Sequence, residues 1–226
     1  MSWNIYESAE LQAQGLAEDV ASKISQKLSQ QDKVTLCVPG GSTPGLFLDL
    51  LSQIKLDWSR VRVVLNDERW VPLDDSLSNE AMLRNVLLKN EASQAQIVSL
   101  YNAGLAIESA VEQFNQTIDS ILPLDVCVLG MGEDGHTASL FPVMENQTDA
   151  LDDNKPAQLI CAKVDGKEEL RVSFNLSALL SAEYQYVLIK GQAKKVVIEE
   201  ALKIRSNHLP ISYILEAQEV SIFYTE

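Results

Sequence analysis

Apolar residues at positions 13, 16, 17, 20, 21, 24 and 28 recur at the spacing of one helical face and predict a long amphipathic helix over 9–28. KVTLCV (33–38), VRVVL (61–65) and DVCVL (125–129) are short apolar runs rich in β-branched residues, and each predicts a buried strand. Between them the helical period returns. A short helix is expected from 44 to about 52, with Thr43 as its cap and Pro44 in its first turn. Ser78 is placed to cap a helix over 79–89, and a third helix is expected over about 105–121. The segment 143–169 is polar and acidic and reads as loop with one strand, QLICAKV. LRVSFNL (170–176) and YQYVLIK (184–190) predict two more strands, 192–204 a helix, LPISYIL a short helix and VSIFY a last strand. Strands alternating with helices imply an α/β fold: a Rossmann-like, mainly parallel sheet with helices on both faces, in a single domain over 1–226.

That layout points to a site. In open α/β sheets ligands bind beyond the carboxyl ends of the strands. The first three strands end in GGSTP, NDERWVP and GMGEDGH, three polar loops punctuated by glycine or proline. Gly40 and Gly41 let backbone N–H groups face a ligand, Ser42 and Thr43 add hydroxyls, and the expected helix start favours an anion; no Walker G-K-[ST] follows. Arg69 can clamp a phosphate or carboxylate, and Asp67 can orient a side chain or bond a sugar hydroxyl; a surface salt-bridge cluster of Asp67, Glu68 and Arg69 is the competing reading. The glycines at 130, 132 and 135 match G-x-G-x-x-G, but Pro142 cuts short any following helix and no acid stands at the end of a next strand, so the dinucleotide reading lacks its context. The loop instead presents His136, one of two histidines, as a general base, with Asp134 close enough in sequence to fix its tautomer. His208 reads as a loop or cap residue. Among the scarce cations, Arg171 opens a strand and Lys194 falls in a first helical turn, where each can reach a ligand at the strand ends.

Composition narrows the partners. The formal net charge of −14 argues against nucleic acid and requires that cations be concentrated wherever a small anion binds. No apolar run approaches the ~18 residues of a membrane helix. The opening residues lack the basic start and apolar stretch of a signal peptide, and the three separated cysteines, Cys37, Cys127 and Cys161, read as free thiols, so a cytoplasmic protein is expected. There is no zinc-type Cys/His spacing and no G-x-S-x-G serine.

PGGSTP, NDERWVP and GMGEDGHTASLFP, in that order and spacing, resemble the 6-phosphogluconolactonase family, and the likeness continues through LRVSF and GQAKKVV. The chain departs from the family pattern at Pro39, usually a small residue, and at Glu133, often proline. The resemblance implies a sugar-phosphate isomerase-like fold. It also implies hydrolysis of 6-phospho-D-glucono-1,5-lactone in the pentose phosphate pathway, with no cofactor and no catalytic metal. It casts His136 as the base for water attack, with Asp67 as the rival for that role. Gly40, Gly41, Ser42, Thr43, Arg69, Arg171 and Lys194 become phosphate-binding candidates, and the backbone of Gly130 to Gly132 an oxyanion site. A monomer or weak homo-oligomer is expected. Glucosamine-6-phosphate deaminases share the G-x-G-x-D-G-H loop but continue H-I-A-F-N-E-P, where this chain has HTASLFP. A non-catalytic sugar-phosphate-binding module is the third reading.

Overall fold

A computed structural model describes residues 1–41, 43–164, 169–217 and 219–226. Its strands are β1 (Ser2–Tyr6), β2 (Val34–Val38), β3 (Val61–Leu65), β4 (Asp67–Arg69), β5 (Gln96–Val98), β6 (Val126–Gly130), β7 (Leu159–Ala162), β8 (Arg171–Phe174), β9 (Tyr184–Lys190) and β10 (Val220–Thr225). Its α-helices are α1 (Ala9–Leu28), α2 (Gly45–Ser52), α3 (Asn79–Val86), α4 (Ile107–Asn115), α5 (Gln147–Ala150), α6 (Leu176–Leu180), α7 (Gln192–Ala201) and α8 (Ile211–Ala217).

Seven strands form one parallel sheet in the order β1-β10-β9-β6-β2-β3-β5. Every residue of β2 is buried, as expected of a strand covered on both faces. Helix α1 buries Ala13, Leu16, Ala17, Val20, Ala21 and Ile24, the stripe its periodicity indicated, and Ser8 caps it by accepting the Leu11 N–H. Helix α1 packs on α2 and α2 on α3, while α8 packs on both α6 and α7. From β2 the chain winds outward through β3 to β5, then returns to the other side of β2 with β6 and winds the opposite way through β9 and β10. The direction of winding therefore reverses between β2 and β6, and a crevice at that point is the general ligand site of open α/β sheets.

The alternation of elements does not show the second sheet. β4, β8 and β7 form a three-stranded antiparallel layer, so LRVSFNL and QLICAKV stand outside the parallel sheet. One residue makes the junction. Asn66 donates its N–H to the Val38 carbonyl (3.0 Å), while its own carbonyl accepts from the Phe174 N–H (3.0 Å). The chain thus leaves the large sheet at the end of β3 and enters the small one as β4, where NDER had read as loop. β1 and β5, also unanticipated, are short edge strands of the large sheet. The helix expected over 105–121 stops at Asn115, whose side chain bonds both the N–H and the C=O of Leu159 (2.8 Å each), and a 3₁₀ turn, Ile118–Ser120, follows. Ser78 caps α3 through the Ala81 N–H, but Thr43 does not cap α2: the cap position is Pro44 and no side chain bonds there. Proline already holds a helical φ and has no N–H to satisfy, so the helix starts without a polar cap.

Candidate active site

Beyond the carboxyl ends of β2, β3, β6 and β9 lies a cavity of about 240 Å³. Ten of the eleven candidate residues line it: Gly40, Gly41, Thr43, Asp67, Arg69, Gly130, Gly132, His136, Arg171 and Lys194. The eleventh, Ser42, lies outside the described residues. His208 is exposed in a turn and does not line the cavity.

The histidine loop is organised by its own backbone. The Gly132 N–H donates to the His136 carbonyl (2.9 Å), the Gly135 N–H to the Gly132 carbonyl (3.1 Å), and Thr137 Oγ1 to the Gly130 carbonyl (2.9 Å). This fold brings the imidazole against Gly132 so closely that a Cβ there would collide with the ring. It also means that the Gly132 N–H, one of the expected oxyanion donors, is already engaged. His136 Nδ1 lies 2.5 Å from Asp134 Oδ1, which also accepts the His136 N–H at 3.2 Å. A carboxylate at Nδ1 holds the proton there and leaves Nε2 as the lone-pair nitrogen. The imidazole stacks on Phe141, with centroids 4.1 Å apart and planes at 23°.

Asp67 opens β4. Its Oδ2 accepts from buried Ser139 at 2.6 Å and its backbone carbonyl from Asn79 Nδ2 at 3.2 Å. The Asn79 side chain in turn fills the space where a Cβ on residue 40 would stand, which accounts for Gly40. So Asp134, not Asp67, supports His136, while Asp67 is held by the serine of the histidine segment. Ser139, Asn66 and Asn79 were not among the candidate residues, although Asn66 and Ser139 stand inside the NDERWVP and GMGEDGHTASLFP motifs. They are buried polar residues whose partners come from distant strands, such as Val128, whose carbonyl accepts from Asn66 Nδ2 at 3.3 Å.

Arg69 and Arg171 are register partners across β4 and β8, so their side chains leave the same face of the small sheet. Arg69 donates to the Leu77 carbonyl (2.8 Å) and buried Arg171 to Glu169 (2.6 Å), and each Nε lacks a partner among the described residues. Lys194, in the first turn of α7, has no ion pair among the described residues. Glu68 departs from the salt-bridge reading. It is fully buried and accepts the N–H groups of Arg69 (2.7 Å), Asn79 (2.8 Å) and Glu80 (2.6 Å), as an anion seated at the start of α3. Burial pushes its carboxyl above the ordinary value, against the downward pull of those donors.

The three cysteines are free thiols away from the cavity; Cys37 and Cys127 face each other across β2 and β6, and burial pushes the Cys37 thiol well up. Among the described residues, no three His, Cys, Asp or Glu side chains gather closely enough to hold a metal ion. No described helix is long and apolar enough to cross a membrane.

The family model for glucosamine-6-phosphate isomerases/6-phosphogluconolactonase matches residues 7–223. A 6-phosphogluconolactonase of Pseudomonas aeruginosa is 37% identical over 94% of this chain and 90% of its own length. One of Rhizobium meliloti is 40% identical over 88% of this chain and 86% of its own. The crystal structure of a 6-phosphogluconolactonase from Shewanella baltica superposes with a TM-score of 0.93 at 32% identity, covering 100% of this chain and 98% of that one. With matching of this extent, laid over a cavity at the sheet's reversal point, the chain belongs to the glucosamine-6-phosphate isomerase/6-phosphogluconolactonase family.

Proposed function

We propose that this chain is a 6-phosphogluconolactonase, hydrolysing 6-phospho-D-glucono-1,5-lactone to 6-phosphogluconate in the pentose phosphate pathway. The observation that carries the reading is the cavity itself: an imidazole anchored through Nδ1 by Asp134 shares it with a cross-strand pair of arginines and with Lys194. An anionic substrate meets cations at one part of the cavity and a general base at another.

Arg69, Arg171, Lys194 and the turn of Gly40, Gly41 and Thr43 hold the phosphate, and that remote binding places C1 of the lactone near His136. His136 Nε2 takes a proton from water as the water oxygen bonds to C1. Asp134 stabilises the imidazolium that forms. The tetrahedral intermediate collapses with cleavage of the C1–O5 bond, and the imidazolium returns its proton to O5, giving the free hydroxyl and the carboxylic acid, which ionises. Asp67, held at Oδ2 by Ser139, is a hydroxyl ligand for the sugar. No step requires a cofactor.

The test is lactone generated in situ and followed above its spontaneous hydrolysis, with wild type beside His136→Ala. The variant is expected to lose ~100- to 10,000-fold in kcat, the usual worth of general-base help, with KM little changed. Retained turnover in the variant removes His136 as the base. Absent turnover in the wild type sinks the lactonase, and ammonia release from glucosamine 6-phosphate becomes the next assay. The same reading makes 1–226 one domain of a cytoplasmic enzyme, a monomer or weak homo-oligomer with no nucleic-acid partner; sedimentation velocity checks the oligomeric state.

A further inference from the structure

Phe141 is 6% exposed and lies at the end of the histidine segment. As core filler it would need only volume. Its ring does more: one aromatic face stacks on the His136 imidazole at 4.1 Å and 23°, and the same ring has the Arg171 guanidinium carbon 5.7 Å from its centroid. We propose that Phe141 is a positioning residue for the reaction, aligning the His136 imidazole and the Arg171 guanidinium through one ring. The proposal rests on the lactonase reading, in which those two groups serve the reacting carbon and the phosphate.

The geometry explains why a ring is needed. The bond from Nδ1 to Asp134 and the close approach of Gly132 hold the Nδ1–Cε1 edge of the imidazole, and the aim of Nε2 still changes with the tilt of the ring about that edge. Stacking supplies the second constraint. A guanidinium is likewise drawn to a π face and gains nothing comparable from an aliphatic side chain. The ring's own position is secured from behind. Gln147 Nε2, in the first residue of α5, reaches the carbonyls of Phe141 (3.0 Å), Pro142 (2.7 Å) and Asn207 (2.8 Å), fastening the end of the histidine segment to the 207 turn. The Ile211 N–H donates to the Gly135 carbonyl at 2.9 Å, fastening the other side of the loop to the same region. The segment from 143 onward, which reads as polar loop with one strand in the sequence, thus helps hold the stack in place through Gln147.

The test compares Phe141→Leu, which keeps the apolar volume, with Phe141→Tyr, which keeps the ring. The chain has two histidines, so a His208→Gln variant assigns the imidazole C–H resonances. In the wild type those of His136 are expected upfield of those of exposed His208, because they lie in the shielding cone of Phe141. Phe141→Leu is expected to abolish that shift, to lower kcat by ~10- to 100-fold, the scale of a small misplacement of a reacting group, and to raise KM as well. Phe141→Tyr is expected to keep the shift and to stay within a few-fold of wild type in both constants. Unshifted His136 resonances in the wild type overturn the proposal, and so does a folded Phe141→Leu with wild-type kcat and KM. Equal impairment of the leucine and tyrosine variants also overturns it, since the ring itself then matters no more than its fit. If the leucine variant does not fold, the wild-type resonances and the tyrosine variant decide. A wild type without lactonase turnover would instead strike the functional reading, and the resonance shifts would still settle the stack.

Discussion

At the amino edge of the seven-stranded sheet, Lys27 lies 2.7 Å from Glu183 and 3.2 Å from Asp125. Asp125 also accepts the Thr35 N–H at 2.7 Å and Gln31 Nε2 at 2.8 Å. At the carboxyl edge, Arg69, Arg171 and Lys194 have among the described residues one carboxylate within ion-pair distance, that of Glu169. The chain carries 32 acidic residues against 18 basic ones, so carboxylates are not scarce. Even so, among the described residues, Arg69 and Lys194 have no carboxylate within ion-pair distance and Arg171 has one, Glu169. On the proposed reading, what separates structural charge from functional charge is how far its polar atoms are already engaged: Lys27 has two carboxylates, while Arg69 Nε and Arg171 Nε have no partner among the described residues. Glu68 sharpens the point: it stands at the functional edge, between Asp67 and Arg69, yet its oxygens are saturated by backbone donors and it belongs with the structural group.

The largest effect that can break this comparison comes from the arginines. Arg69→Gln and Arg171→Gln are each expected to raise KM for the phosphorylated lactone by ~10- to 100-fold, the worth of a charge-assisted hydrogen bond, in steady-state assays. Melting temperature should move little for Arg69→Gln, whose guanidinium makes one hydrogen bond among the described residues, to the Leu77 carbonyl. A loss of stability without a rise in KM would place the arginines with Lys27.

Next in size is Glu68→Gln. One of its two terminal atoms becomes a donor facing a backbone N–H, and the expected cost is ~1–3 kcal/mol in denaturant unfolding. Full stability in this variant would return Glu68 to the surface-charge reading.

The smallest effect is at the amino edge. Glu183→Gln is expected to cost no more than ~0.5 kcal/mol, since the carboxylate is 52% exposed and screened, and to leave kcat and KM unchanged. Lys27 holds the Glu183 carboxyl below its ordinary value. A carboxyl lowered by folding adds stability above the unfolded value, and that contribution is lost as pH falls through the folded value. The wild-type advantage over Glu183→Gln should therefore be present at neutral pH and vanish in acid, as paired thermal melts would show.

Much of this architecture was legible from one chain. The stripe of α1, the buried runs of β2, β3 and β6, and the three loops at their ends follow from local periodicity and turn chemistry, which need no knowledge of distant residues. His136 and its aspartate are two residues apart, so their pairing was within reach of the sequence. The small antiparallel sheet was not. β4 is three residues long and charged, and it becomes a strand only because β8, about a hundred residues later, supplies its hydrogen bonds. The same holds for Ser139 on Asp67, Asn66 at the junction of the sheets, Gln147 behind Phe141, and Phe141 between base and arginine. Periodicity and punctuation placed β2, β3 and β6 and named the loops at their ends, because those signals are written within a few residues, while β1, β4 and β5 went unanticipated. Which polar groups would be buried, and which cations would come together at the cavity, depended on contacts between segments far apart in the chain, and such contacts exist only once the chain has folded.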